Sequence, residues 1–214
     1  APELLNGKVC EAIIIDKRDA HYDSADQIHQ DINDAFNIYP DADTTPESGF
    51  LSEFSGAAAA YSVRKLGDSP VAMRVRKTVS SVDYYQVIGF DANGDLDTAA
   101  IEEFGGSADV HVQTWYDQSG NGNHASNSTN AEQPKIYDGT DGIEKENGIP
   151  TIQFDGTDDY LKADGYIVEL SQNSASVFVT ANGGTPDVNT DYLLSEGDSS
   201  DPYSSNFIFG GGSS

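Results

Sequence analysis

The sequence predicts an antiparallel all-β protein, and three observations support that class. Turn-forming Asp, Asn, Gly and Ser make up more than a third of the 214 residues, which favours many short connections. Short segments rich in β-branched and aromatic residues recur along most of the chain. Hydrophobic residues make up 37% of the sequence, with 11 Tyr and 9 Phe, so the chain can bury a core. We therefore expect a sandwich or barrel of short strands.

The first 49 residues predict a strand, a helix and a linker. Val9 to Ile15 is apolar and β-branched, as expected of a buried strand. Ser24 can cap a helix in which apolar residues recur at three- and four-residue spacing, and Pro40 ends it. Residues 41–49 contain only small or polar residues apart from a proline, which is typical of a linker.

From residue 50 onward the pattern is one strand after another. A short helix from Asp97 to Phe104 interrupts it, capped by Asp97 and stopped by the glycine pair that follows. The predicted strands are Ala58 to Leu66, Val71 to Val79, Tyr84 to Phe90, Val110 to Tyr116, Pro134 to Tyr137, Pro150 to Phe154, Tyr160 to Lys162, Ser176 to Ala181, Tyr192 to Ser195 and Asn206 to Phe209.

Several segments between Ala58 and Leu161 occur in a consistent order: AAAAYSVRKLG, IGFDANGDLDTAAIEEF, WYDQSGNGNHA and GIPTIQFDGTDDYL. This series resembles the concanavalin A-like (laminin-G-like) jelly-roll modules of bacteriophage virion proteins and large extracellular adhesins. WYDQSGNGNHA is also similar to the N-terminal part of the catalytic β-sandwich of α-L-arabinofuranosidase B. The resemblance implies an antiparallel concanavalin A-like jelly-roll β-sandwich with one N-terminal helix and one short helix.

The same resemblance implies an unusual segment order. Residues 1–40 resemble the closing strand and helix of such a module, yet they precede its opening strand. Either they end a preceding module of a tandem array, or the module is permuted. Residues 50–214 then form a sandwich module that is incomplete at its C-terminus. We expect an exposed sheet edge, completed by residues 8–15 of this chain or a neighbouring one, so Val9 to Ile15 is a predicted contact with other copies or modules.

The WYDQSGNGNHA string allows two interpretations. It can bind a glycan, because aromatic faces and hydrogen-bonding edges suit sugar rings and hydroxyls. The candidate glycan ligands are Trp115, Tyr116, Asp117, Asn121, Asn123 and His124. Alternatively, Trp115 belongs to the core and the glycines allow a tight loop, which is the commoner use of such residues and the favoured interpretation.

Two acidic segments are candidates for calcium. Oxygen-bearing side chains at nearly the spacing of a calcium loop are Asp91, Asn93, Asp95 and Glu102. Leu96 stands where that loop requires Gly, and a turn followed by a helix cap explains the same residues. The second cluster comprises Asp155, Asp158 and Asp159, for which an acidic turn between two strands is the favoured interpretation.

No catalytic set emerges from the sequence. A glycosidase needs two carboxyl groups at a set separation, and spacing cannot select a pair from 36 acids. Glu196 lies in the general region of the arabinofuranosidase nucleophile, but the flanking residues do not match that family. The four histidines lack metal-ligand spacing. Cys10, the one cysteine, is interpreted as a small buried hydrophobe. If the protein is an enzyme, we expect a glycoside hydrolase.

The net charge of −25 excludes whole classes of partner. It opposes binding to nucleic acid and to anionic membranes. Five of the 11 basic residues form a cluster, predicted to face solvent, with docking to a neighbour's acidic patch as a second option: Arg64, Lys65, Arg74, Arg76 and Lys77. We expect a non-enzymatic structural or adhesion module on a virion or extracellular surface, with a cell-surface glycan as a second partner. The alternative is a secreted carbohydrate-active protein.

Overall fold

The computed structural model describes residues 6–16, 51, 56–163, 167, 175–183, 194–196 and 207–210. The helix predicted after Ser24 and the linker predicted at residues 41–49 lie outside the described residues. Within the described part, no helix is long and apolar enough to span a membrane.

The described elements are fifteen strands, one α-helix and one 3₁₀ turn. The strands are β1 Asn6–Asp16, β2 Ala57–Ser62, β3 Val71–Val79, β4 Val82–Gly89, β5 Val110–Trp115, β6 Ala125–Ser126, β7 Lys135–Asp138, β8 Gly142–Ile143, β9 Lys145–Glu146, β10 Ile149–Pro150, β11 Ile152–Asp155, β12 Tyr160–Ala163, β13 Ala175–Gly183, β14 Leu194–Glu196 and β15 Phe207–Gly210. The helix is α1, Thr98–Gly105, and the 3₁₀ turn is Asn130–Glu132.

Antiparallel pairing organises these strands, and the all-β class predicted from the sequence is confirmed. Thirteen strands form one connected sheet, along the path β13-β1-β11-β7-β5-β6-β12-β15-β14. β2, β3, β4 and β8 attach at its sides, while β9 and β10 form a separate hairpin. This arrangement fits an all-β sandwich. The predicted short helix is also confirmed, since Asp97 Oδ1 accepts a hydrogen bond from the Ala100 N–H at 3.0 Å.

Strand β1 lies inside the sheet rather than at its edge. Along one side, residues 7–16 pair with β13. Along the other side, residues 6–9 pair with β11 and residues 11–15 pair with β2. Both backbone edges of Val9 to Ile15 are thus paired within the chain, as in the alternative where residues 8–15 of this chain complete the sheet. The contact of this strand with other copies or modules stays a prediction.

The core combines large buried side chains with small residues that let neighbouring strands approach one another. Its largest fully buried side chains are Trp115, Tyr61, Phe154, Leu66, Met73 and Ile88. The alanine run of β2 lets neighbouring strands and side chains come close to its backbone. Gly105 ends α1 against Tyr137, where an added Cβ would lie 2.6 Å from the tyrosine ring. A glycine is therefore required at that contact.

Two of the clustered basic residues are buried, which corrects the prediction that all five face solvent. Arg64 is 7% exposed, and its Nε lies 2.9 Å from Oε2 of the fully buried Glu11. Arg76 is 5% exposed and donates from Nε to Gln133 Oε1 at 2.7 Å. Glu11 lies in β1 and Gln133 just before β7, so segments distant in sequence supply the acceptors for the two guanidinium groups. Both buried guanidinium groups are tolerated because a carboxylate compensates each charge, Glu11 for Arg64 and Asp83, 3.4 Å from Nη1, for Arg76.

Candidate functional site

WYDQSGNGNHA, the most specific string of the sequence, forms the connection between β5 and β6. Asp117, near its start, is 5% exposed. Its Oδ1 accepts hydrogen bonds from the N–H groups of Ala60 and Ser119, both at 2.9 Å. Its Oδ2 accepts from Ser119 Oγ at 2.8 Å and from the Asn123 N–H at 3.0 Å. One carboxylate thus fastens the loop to β2 and closes the loop upon itself.

Two amide side chains attach the same loop to β2. Asn121 Nδ2 donates to the carbonyl of Ala57 at 2.8 Å, and Asn123 Nδ2 donates to that of Ala58 at 2.8 Å. Gly120 has a φ of +89°, a conformation that side chains rarely adopt. The Asp117 carboxylate and the NH₂ groups of Asn121 and Asn123 are therefore bonded within the chain.

Gln118 belongs to this attachment, and the sequence reasoning missed it. Its Oε1 accepts from the Leu66 N–H at 2.8 Å. Its Nε2 donates to the carbonyls of Ser62 and Arg64 at 3.2 and 3.0 Å. The side chain is 4% exposed and satisfies backbone groups where β2 ends. The sequence did offer one signal for this role, since Gln118 lies in the loop between Asp117 and the glycines.

Trp115 cannot serve as a stacking surface for a sugar. It has no exposed surface, and its ring centroid lies 5.7 Å from that of the buried Tyr61. Its Nε1 donates to the carbonyl of Ser62 at 3.4 Å. Trp115 as a glycan ligand is therefore corrected: because β5 turns this residue into the core, its aromatic face is inaccessible.

Tyr116 and His124 retain aromatic surface at the outside of the loop. Tyr116 is half-buried, His124 is exposed, and their rings meet edge to face with centroids 5.0 Å apart. His124 Nδ1 accepts from the Asp117 N–H at 3.1 Å. Of the predicted glycan ligands, these two side chains keep ring surface that a ligand could contact.

The first candidate calcium segment is a turn closed by its own hydrogen bonds. Asp91 Oδ1 accepts from the N–H groups of Asn93 and Asp95 at 2.8 and 3.0 Å. These bonds lower the pKa of Asp91. The carboxylate oxygens of Asp91, Asp95 and Glu102 do not converge within 4.8 Å. The structure therefore does not assemble the predicted ligand set, because Glu102 belongs to α1 and the Asp91 oxygens bind the turn.

The second acidic segment, between β11 and β12, does bring carboxylates together. Oxygens of Asp155, Asp158 and Asp159 lie within 4.8 Å of one another. Asp159 is 7% exposed and accepts from the Asp155 N–H at 3.0 Å. Burial, followed by the nearby charge of Asp155, raises the pKa of Asp159 to about 7. This carboxyl group therefore titrates near neutral pH.

A groove of about 430 Å³ lies beside β1 and β13, next to the β9–β10 hairpin. Lys8, Cys10 and Ile149 contribute to its lining. The Lys8 ammonium lies 3.3 Å from Glu144 Oε2. Burial raises the pKa of the Cys10 thiol to about 12, and its Sγ lies 3.5 Å from the carbonyl of Thr180. The thiol therefore stays protonated and is not an activated nucleophile.

The β3–β4 hairpin, residues 71–89, has an unusually apolar surface. In the described part of the chain, all of the exposed large hydrophobic side chains lie on it: Val79, Val82, Tyr84, Tyr85 and Val87. Each is between 41% and 51% exposed. Arg74 stacks on Tyr85, its guanidinium carbon 4.6 Å from the ring centroid. The sequence predicted the strands here but not this concentration of apolar surface.

Comparison with known proteins gives one structural neighbour to report. No protein-family model matches the chain, and no curated protein matches it. A crystal structure of an arabinofuranosidase complexed with arabinofuranosyl-alpha-1,2-xylobiose is 21% identical, with a TM-score of 0.38. The match covers 54% of this chain and 26% of that one, so this chain spans about a quarter of the neighbour's length.

Proposed function

We propose that this chain is a non-enzymatic structural or adhesion module of the concanavalin A-like jelly-roll type. It is carried on an extracellular or virion surface, for example as a capsid decoration or fibre component of a bacteriophage. The order of the sequence segments supports the jelly-roll assignment. The net charge of −25 suits a highly soluble exterior and disfavours nucleic acid as a partner.

One observation carries the proposal: the Asp117 carboxylate and the NH₂ groups of Asn121 and Asn123 in the WYDQSGNGNHA loop bond within the chain. The Asp117 carboxylate accepts four hydrogen bonds from within the chain. The amides of Asn121 and Asn123 bind carbonyls of β2. A loop built in this way holds a strand in place, and binding a sugar through these groups would require breaking those bonds.

The second candidate function is a carbohydrate-active protein, either a lectin module or an arabinofuranosidase-like hydrolase. The observation in its favour is the Tyr116–His124 pair, whose rings are partly open to solvent. Aromatic surface beside a polar loop suits weak contact with a sugar ring.

Mutation of the two kinds of loop residue separates these functions. We expect Asn123→Ala to lower the melting temperature by several degrees, because it removes an attachment to β2, whereas Tyr116→Ala should change it little. The intact chain and both variants would be applied to a glycan array and incubated with arabinofuranosyl-substituted xylo-oligosaccharides. We expect the intact chain to release no sugar. We also expect it to capture no glycan in a way that depends on the Tyr116 side chain.

Location supplies a further test. Antibodies against the chain should label the outside of intact particles or cells from its source in immunogold electron microscopy. Labelling only after disruption of the particles or cells would contradict the surface assignment. Sugar release by the intact chain would overturn the non-enzymatic function, and capture lost in Tyr116→Ala would replace it with a lectin function.

A further inference from the structure

We propose that the groove beside β1 and β13 binds a short neutral saccharide. The inference rests on the proposed function and deepens it, because it gives the adhesion module a ligand site separate from the WYDQSGNGNHA loop. Failure of this site leaves a structural module intact. Sugar release, or capture that depends on Tyr116, overturns the proposed function instead, so the two failures are distinguishable.

The groove is built from elements that the fold holds in place without a ligand. β1 and β13 supply one side, where the register sets Lys8 opposite Asn182. The β9–β10 hairpin supplies the other side, through Asn147 and Ile149. Asn147 and Gly148 have φ values of 50° and 86°, the left-handed conformations that a tight two-residue hairpin turn requires. The volume of about 430 Å³ suits a short ligand rather than a folded partner.

The charges at the groove disfavour a strongly charged ligand. Among the described residues of the lining, Lys8 is the one base and Glu146 the one acid. The Lys8 ammonium lies 3.3 Å from Glu144 Oε2 and donates to the carbonyl of Lys145 at 2.8 Å. An anion would therefore meet an ammonium group that is already paired, and a carboxylate that repels it. A cation would gain that carboxylate but meet the ammonium group in the same groove, so a neutral ligand fits best.

The uncharged polar groups of the groove favour hydroxyl groups as partners. The side-chain amides of Asn147 and Asn182 are exposed, and neither makes a hydrogen bond within the described residues. In the WYDQSGNGNHA loop, by contrast, Asn121 and Asn123 are bonded to β2. An amide side chain both donates and accepts hydrogen bonds, and so does a hydroxyl group. A carboxylate only accepts and an ammonium group only donates, so a ligand rich in hydroxyls matches the two amides better.

A hydroxyl group of the chain lacks a partner at the same place. Thr151 belongs to the lining and is 2% exposed, and its Oγ1 makes no hydrogen bond in the described part of the chain. A buried polar group in this state destabilises a fold. Rotation about the Cα–Cβ bond turns the hydroxyl to a ligand in the groove, whose own hydroxyl satisfies it. The unpaired Thr151 hydroxyl is thus a second reason for a hydroxyl-bearing ligand.

Apolar side chains complete the site and favour a saccharide over a peptide. Ile149 and Val179 line the groove and are half-buried, so they can cover the C–H face of a sugar ring. An extended peptide would instead pair with a strand edge, and both edges of β1 along the groove are occupied. A short saccharide combines the hydroxyls and the apolar C–H faces that this lining can contact.

Titration of the intact chain, followed by heteronuclear NMR spectra, tests the inference. The neutral probes are maltose, cellobiose, lactose and xylobiose, while sialyllactose and N-acetyl-trialanine amide serve as the anionic and the peptide comparison. We expect at least one neutral disaccharide to produce saturable shifts of the Asn147, Thr151 and Asn182 amide signals. The signals of Tyr116 and His124 should stay unchanged.

Two substitutions remove polar groups of the groove with little change in the backbone. Asn147→Gly keeps a residue that adopts positive φ in the turn, and Thr151→Val replaces the hydroxyl with a methyl group. Thr140→Val is the matched control, because Thr140 is exposed in a turn outside the groove. We expect each groove variant to raise the disaccharide dissociation constant roughly fivefold, the worth of one hydrogen bond, and the control to leave it unchanged. Because the Thr151 hydroxyl is unpaired in the free chain, Thr151→Val should not lower the melting temperature.

Three results would overturn the saccharide site. One is the absence of saturable shifts at the groove with all of the neutral disaccharides. Another is tighter binding there of sialyllactose or of the peptide than of every disaccharide, which would assign the groove to an anion or to a peptide. The third is a disaccharide affinity that both Asn147→Gly and Thr151→Val leave unchanged.

Discussion

Removal of the Asp117 carboxylate perturbs the loop most directly. Asp117→Ala deletes the acceptor of four hydrogen bonds and leaves the N–H of the buried Ala60 without it. Asp117→Asn keeps an oxygen for Ala60 and Ser119 but turns an NH₂ group towards the Asn123 N–H. Asp117→Ala therefore removes all four hydrogen bonds, whereas Asp117→Asn removes only those made by one of the two oxygens.

The size of the effect follows from the donors that lose their acceptor. Ser119 and Asn123 are both half-buried and can take up water in place of the carboxylate, so their bonds cost less than that of the buried Ala60. The Ala60 N–H loses a bond to a charged acceptor, worth about 1.5–3 kcal/mol. We therefore expect Asp117→Ala to lower the free energy of unfolding by about 3 kcal/mol, and Asp117→Asn, which keeps the bond to Ala60, by about 1 kcal/mol.

Urea unfolding followed by tryptophan fluorescence provides the assay. Trp115 is the only tryptophan and is fully buried beside this loop, so its emission reports local and global packing. Asp141→Asn is the control, because Asp141 is exposed, and its change should remain within about 0.5 kcal/mol. A loss below about 1 kcal/mol for Asp117→Ala would refute the argument that the carboxylate fastens the loop.

Two further predictions concern buried carboxyl groups. The pKa of Asp159, raised from 3.8 to about 7, means that its contribution to stability is fully present below about pH 4 and is lost progressively as pH rises from there to about 7. Asp159→Asn should therefore gain stability relative to the unmodified chain between about pH 4 and 7, and no more above that, in a chelator-containing denaturation series. Parallel curves for the two proteins across this range would contradict the prediction. Glu11→Gln removes the charge paired with buried Arg64 and should cost about 3 kcal/mol by urea unfolding, with exposed Glu102→Gln as control. A cost equal to that of the control would exclude a stabilising role for the pair.

Local sequence signals predicted much of the fold. The apolar strands and the Asp97-capped helix follow from short-range patterns, and the structure places them within a few residues of their expected bounds. The strands missed, such as Ala125–Ser126 and Gly142–Ile143, contain only two residues and carry no periodicity. They exist because longer neighbours position them.

Long-range partners explain what the sequence could not predict at the site. Arg64 is buried because Glu11, 53 residues earlier in the chain, reaches it from β1. Trp115 is inaccessible because β2 brings Tyr61 against it. Alternation along a strand indicates which residues share a face, but the surroundings of that face depend on distant segments. The exposed hairpin was missed for the same reason, since its pattern resembles that of a buried strand.

Amide hydrogen exchange of the intact chain, measured at low and high protein concentration and then with added glycans, tests the central claim most directly. We expect the N–H groups of Ala60, Ser119 and Asn123 to be protected at every concentration without any sugar, because Asp117 already holds them. Rapid exchange in the loop that slows only when a glycan is added would contradict the claim, and would assign the loop to sugar binding.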